Sequence, residues 1–400
     1  MTNNSKKIYF RHRFFTSFAF SMIFSVTSIY YIDKIGLNPL QLVMVGTVLE
    51  ISYFLFEVPT GIVADIYSRK LSIIIGLILT GLGFIIEGAI PLFFTVIISQ
   101  ILWGIGATFL SGAVEAWITD EVGVDNVQHL FLTGAQFSQL AALLGIIASM
   151  LLGYVSLQLP IVCGGLIFIV LVLHHIYFLQ EANFVPLLNE NRESYRSLYV
   201  TFIKGLQFIK QKRVLLLSII ITLFYGLYSE GIDRLWNMHF LNNIKLPLIF
   251  NLKPVLWFGI INICSMLIMI FITSKIKNKL LDSNNSQQIN MIIVLNALLV
   301  ISILTFAFVT NFYLGVLAVW SIKVLRKVNR PILSAFINQH IESSVRATVL
   351  STISQFDAFG QILGGPIIGF IALKISVSFA LAFSALILLP VVFIFIQLKN

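Results

Sequence analysis

The sequence predicts an all-α integral membrane protein with twelve transmembrane helices, six on either side of one long polar segment. Three observations lead there. Of 400 residues, 58% are hydrophobic and only 11% charged, where a soluble domain carries roughly 25% charged. Apolar runs near the ~20 residues that cross ~30 Å of hydrocarbon recur along the whole chain. Between the runs, Lys34, Arg234, Lys245, Lys253 and Lys374 fall on one side, and every other lysine and arginine falls on the opposite side. Basic residues are retained in the cytoplasm, so this bias expects both termini inside the cell and the protein in the inner (plasma) membrane. It also accounts for the net charge of +9 without a nucleic-acid partner.

The first half is read in order. Span 1 covers 14–32, behind the basic stretch Lys6 to Arg13. It lacks a small-x-small cleavage site, so it reads as an uncleaved span rather than a leader. Span 2, 41–64, carries Glu50 and Glu57, whose spacing of seven puts both on one helix face. A carboxylate inside the bilayer costs about 2.5–3.5 kcal/mol, so it needs a reason to be there. Span 3 is 71–90. Span 4, 92–116, holds Trp103-Gly104-Ile105-Gly106, small residues that suit tight helix contacts. A loop with Asp120, Glu121 and Asp125 but no basic residue follows. Spans 5 and 6 are 130–152 and 159–179.

Residues 181–212 form the linker between an N-terminal half, 1–180, and a C-terminal half, 213–400. Leu198, Phe202, Leu206 and Ile209 recur there at helical spacing beside Lys204, Lys210 and Lys212, which predicts an amphipathic helix on the inner membrane surface. The second half repeats the pattern at 213–235, 254–275, 289–309, 312–335, 347–372 and 376–397. Spans 5 and 11 align at a constant offset. Thr133 pairs with Thr352, Gln136-Phe137 with Gln355-Phe356, and Leu144-Gly145 with Leu363-Gly364, consistent with an internal repeat.

Span 7 ends with Tyr225, Tyr228, Glu230, Asp233, Arg234, Trp236 and His239, an outer gate or an interfacial belt. Asp233 and Arg234 are neighbours in sequence and do not face each other. Span 10 carries Lys323, Arg326, Lys327 and Arg330, then Pro331: a cationic lining, or side chains that snorkel to the inner surface. Span 11 has Gln355, Asp357 and Gln361, then Gly364-Gly365-Pro366 and Gly369, a helix packed closely and able to bend. His129, His174, His175, His239 and His340 are scattered at span ends. Cys163 and Cys264 lie in apolar runs, and nothing has metal-ligand spacing or the pattern of a nucleophilic triad or an ATPase. No cofactor and no enzymatic activity are expected.

The turn Gly61-x-x-x-Asp65-x-x-x-Arg69-Lys70 resembles the signature loop between helices 2 and 3 of the major facilitator superfamily of transporters. Ile66 and Ser68 stand where that family usually has a basic residue and a glycine. The topology and the residues at 57–70, 103–121 and 346–369 are most similar to bacterial drug exporters. The resemblance implies two six-helix bundles around a central cavity, working by alternating access. It implies a cytoplasmic latch of Gly61, Asp65, Arg69, Lys70, Glu115 and Asp120, with Asp65 facing the start of span 11 near Ser343, Ser344 and Arg346. Gly61 would permit close backbone approach, and the acidic loop after span 4 would pair with Arg69 and Lys70.

The function expected is proton-coupled efflux of a lipophilic or cationic small molecule by a monomer. Glu50 and Asp357 are the expected proton carriers, with Glu57 supporting the inner end of span 2. Tyr30, Phe56, Trp103, Phe137, Tyr225, Glu230, Asp233, Arg326 and Phe356 are the expected cavity or gate. Coupled uptake of a metabolite shares these features, and a non-transporting receptor or scaffold is the alternative of another class.

Overall fold

The computed structural model describes residues 2–186, 209, 212–247, 252–281, 285–342 and 346–399. The helices are α1 (Thr2–Ile29), α2 (Pro39–Ile62), α3 (Arg69–Ala89), α4 (Phe93–Leu110), α5 (Ala113–Val122), α6 (Val124–Val155), α7 (Leu159–Phe178), α8 (Arg213–Asn243), α9 (Pro254–Leu281), α10 (Asn285–Phe308), α11 (Phe312–Gln339), α12 (Arg346–Lys374) and α13 (Val377–Lys399). Wider π-helical turns, Tyr30–Ile35 and Val63–Tyr67, extend α1 and α2. Local chemistry sets several boundaries. The Ser68 hydroxyl caps α3 by accepting from the Leu71 amide at 3.0 Å, and the Asn311 side chain caps α11 through the Tyr313 and Leu314 amides. Each satisfies donors that the first helical turn leaves open.

Among the described residues, eleven helices are long and apolar enough to cross a membrane. The expected tenth span forms as a helix, α11, but Lys323, Arg326, Lys327 and Arg330 interrupt its apolar run and leave it outside that group. The helix runs on through Pro331, inside the expected bounds 312–335, and ends at Gln339. The expected span 92–116 is not one helix. Gly112, in the left-handed region at φ +72°, separates α4 from α5, as its missing Cβ permits. The acidic loop after it is likewise helical: Asp120 and Glu121 lie on α5, Asp125 on α6, with Gly123 between. Leu198, Phe202, Lys204, Leu206 and Lys210, which carry the expected amphipathic helix, lie outside the described residues, as do Ser343 and Ser344.

The chain divides into two compact units: Met1–Leu37, Val48–Tyr195 and Lys253–Ile260 form one, and Asn38–Thr47, Arg196–Leu252 and Ile261–Asn400 the other. In the first, α1 packs on α6 and α7, and α3 on α4 and α7. In the second, α8 packs on α12 and α13, and α10 on α11 and α13. The glycines of the aligned spans carry the same duty in each. A Cβ on Gly145 would strike the Phe18 carbonyl of α1, and one on Gly364 would strike the Leu227 carbonyl of α8. Gly226 and Gly360 likewise let the α8 and α12 backbones touch, close packing of the kind small residues allow between membrane helices.

Candidate functional site

The first unit holds a cavity of about 750 Å³ lined by Phe20, Phe24, Tyr53, Trp103, Leu110 and Glu115, among others, within the usual size range of small-molecule sites. Its wall is built by helical spacing. Phe20 and Phe24 are one turn apart on α1 and stack at 5.6 Å, nearly parallel. Trp103 of α4 lies 5.0 Å from Phe24 and 5.6 Å from Phe84 of α3. Beside it, Gly104 lets α4 lie close against α2, because its missing side chain leaves room for Ser52 and Leu49. Glu115, expected in the latch, sits in the pocket wall and meets Arg13 of α1 at 3.7 Å instead of Arg69 or Lys70. Glu50 is half-buried on α2 one turn before Tyr53, while Glu57 is exposed.

Of the aromatic residues expected in a cavity in this half, only Trp103 lines the pocket. Tyr30 is fully buried and donates to the Glu87 carbonyl at 2.6 Å. Phe56 is exposed, and Phe137 stacks on Phe10 at 5.2 Å. Glu87 itself is a residue the sequence reading missed. It is fully buried and accepts from the Tyr31 hydroxyl at 2.9 Å and the Gln100 amide at 3.3 Å. As an acid in an apolar run, it carried the same signal as Glu50.

At the inner end of this unit, as the charge bias orients it, the signature turn forms a cluster. Asp65 pairs with Arg69 one turn on, and Arg69 Nε lies 3.7 Å from Asp120. Arg69 also stands over the Phe184 ring at 5.7 Å. Lys70 donates to the Ile176 carbonyl at 3.0 Å rather than to an acid. Glu181, also missed, accepts from Ser68 Oγ and the Arg69 amide, each at 2.5 Å. It is an anion at the N-terminus of α3, where the macrodipole favours one. Glu121 takes the amides of Ala182 and Asn183 at 2.8 and 3.1 Å, so α5 grips the chain just beyond α7. A Cβ on Gly61 would meet nothing within 4 Å among the described residues, so this glycine serves no close backbone approach here.

The second unit gathers charge. Arg326 of α11 donates to both carboxylate oxygens of Asp233 of α8, at 2.5 and 2.8 Å, a fork geometry that only arginine supplies. The Asp233 side chain is half-exposed. Lys323 donates to Asn262 Oδ1 of α9 at 2.7 Å and lies 4.5 Å from the Trp236 ring. Arg234 reaches back to the buried Glu230 at 3.3 Å, and Gly46 of α2 leaves room for that pair. Tyr225 donates to Asn296 at 2.8 Å and accepts from Asn329 at 2.7 Å. Asp357 is half-buried and accepts from Gln361 at 3.1 Å, while Phe356 beside it is half-buried. Among the described residues no set of histidine, cysteine or acidic side chains is grouped to hold a metal ion.

A family model described as Major Facilitator Superfamily matches residues 13–326. The uncharacterized MFS-type transporter YxaM of Bacillus subtilis (strain 168) is 25% identical over 381 residues, covering 94% of this chain and 90% of that protein. Among solved structures, a mutant of the nucleoside transporter NupG is similar with a TM-score of 0.80 at 15% identity, covering 99% of each chain. A POT family transporter in complex with a thioalcohol-conjugated peptide follows at 0.74 and 12% identity, covering 98% of this chain and 95% of that one.

Proposed function

The chain belongs to the Major Facilitator Superfamily, and on that premise we propose that it is a proton-coupled secondary transporter that takes up a small polar solute bearing a planar ring. The observation that carries this reading is the chemistry of the second unit. Lys323 and Arg326 stand there among carboxylates and side-chain amides. A lipophilic cation would be repelled by both cations, whereas a polar or zwitterionic solute could replace their present partners. Similarity of fold to transporters named for nucleosides and peptides agrees with a polar solute. Within the first unit, the aromatic wall of Phe20, Phe24 and Trp103 offers ring faces of its own. Tyr225, Glu230, Asp233 and Arg326 would form the gate or polar contacts.

Glu50 and Asp357 are the proposed proton carriers, with Glu57 supporting Glu50. Desolvation disfavours a charged carboxyl, so a site whose hydration alternates between states changes its hold on a proton. Proton-coupled efflux of a lipophilic or cationic compound is the second reading, and it rests on the aromatic pocket with Glu115 in its wall. Twelve spans in two six-helix bundles, inner termini and a monomeric state complete the proposal.

Proteoliposomes with an imposed pH gradient test it. The wild type is expected to concentrate a ring-bearing polar solute on the alkaline side. Glu50→Gln and Asp357→Asn are expected to abolish accumulation while retaining solute binding. Accumulation equal to wild type in both variants would remove these residues from coupling. Movement of lipophilic cations toward the acidic side would establish the second reading.

A further inference from the structure

His12, His174 and His175, scattered in sequence, form a chain in the first unit. His12 Nδ1 lies 3.0 Å from His175 Nε2, and His175 Nδ1 lies 3.3 Å from His174 Nδ1. His174 Nε2 lies 3.2 Å from Arg11 Nη1. His12 and His175 are 6% and 1% exposed. The direction of this chain follows from Arg11, whose guanidinium has donors and no acceptor. His174 Nε2 must therefore accept, which puts its proton on Nδ1. That proton faces His175 Nδ1, which accepts in turn and carries its own proton on Nε2. The last donor meets His12 Nδ1. Each imidazole is then neutral, and each gives one hydrogen bond and takes one, except His12 at the end.

We propose that this chain is a proton-sensing site that ties the inner ends of α1 and α7 together while neutral and releases them when a histidine is protonated. A protonated imidazole has two donors and no acceptor. Charging any of the three rings therefore sets two N–H groups against each other across one contact. For His175 an alternative lies close by, because the Leu171 carbonyl one turn back is within reach of its ring. Its new proton turns there and the link to His174 is lost. Among the described residues, the charged groups that bear on the rings are Arg11 and Arg13 of α1 and Lys70 of α3, all cations. An added proton therefore meets no carboxylate and raises the repulsion within the cluster. Lys70 belongs to the signature turn, and its hold on Ile176 O puts the sensor one residue from that cluster. Acid on the inner side would loosen this end of the first unit and slow transport, a brake on further proton entry.

The effect on transport rests on the transporter reading, but the switch does not. Hydrogen–deuterium exchange, corrected for intrinsic rate, reads it directly in the full chain in nanodiscs. Between about pH 7.5 and about pH 4, a window carried well below ordinary imidazole titration because His12 and His175 are shut off from solvent and an added proton there meets only cations, residues 8–16 and 170–178 are expected to exchange roughly tenfold faster, the opening that loss of one hydrogen bond allows. His175→Gln keeps a donor near the Nε2 position without titrating, removes the ring shared by two of the three contacts, and is expected to reduce the acid response severalfold, leaving only what His12 and His174 contribute. His12→Asn, an untitratable acceptor at the Nδ1 position, serves if the first variant does not fold. An unchanged pH response in either folded variant, or none in the wild type, overturns the proposal. A switch seen in exchange without any solute movement would sink the transporter reading and leave the histidine site standing.

Discussion

The pocket of the first unit and the polar set of the second both lie on packed helices, yet they are built from opposite materials. The first offers area: Phe20, Phe24 and Trp103 present ring faces, and Glu115 is engaged by Arg13. The second offers direction: Asp233 and Arg326, Lys323 and Asn262, and Tyr225 with two asparagines fix hydrogen bonds at defined angles. Stacking tolerates many rings, whereas a buried polar group that loses its partner is expensive. The difference teaches that selectivity should reside in the second unit and breadth in the first.

Breaking the polar side is expected to have the largest effect. Arg326→Ala removes the two-bonded partner of Asp233 and should cut transport by about tenfold, the low end of the about 1.5–3 kcal/mol of a charge-assisted pair, because Asp233 is half-exposed and solvent screens the pair. Arg326→Lys should recover little, because a point charge cannot reproduce the fork. Full activity in Arg326→Lys would show that charge alone matters there. Next comes Trp103→Ala, which removes ring contacts worth about 0.5–1.5 kcal/mol each. Its KM should rise by about tenfold or less for ring-bearing solutes and stay unchanged for ringless ones. Equal losses for both would move the ring site elsewhere. A third variant, Glu181→Gln, weakens the anion at the start of α3 by about 0.3–1 kcal/mol. Melting of the purified protein should shift down by about one degree or less, with solute preference unaffected. Asp65→Asn is expected to do least, since a partly exposed pair one turn apart contributes about 0.3–0.5 kcal/mol. A larger loss of transport in Asp65→Asn than in Glu181→Gln would restore the signature aspartate as the main element of the latch.

Much of the architecture was legible because it depends on short-range rules. Apolar length and charge bias located the helices, and the aligned glycines Gly145 and Gly364 proved to make matching backbone contacts in their own units. Glu87 was legible by the rule that singled out Glu50, since any acid in an apolar run invites the same question. Arg13 with Glu115, and Glu181 with the start of α3, were not legible. Their partners lie far apart in sequence and on helices whose rotation a linear pattern does not specify.

The sequence by itself determined the helical membrane class, the signature turn and the residue types available for work. Those follow from hydrocarbon thickness and backbone hydrogen bonding, which act within one segment. Tertiary structure alone decided which charges met. Asp233 turned to Arg326 and not to its neighbour Arg234, Glu115 went to the pocket wall, and three scattered histidines joined on Arg11. A side chain's partner depends on helix rotation and axial shift, and packing of glycines against neighbouring backbones sets both.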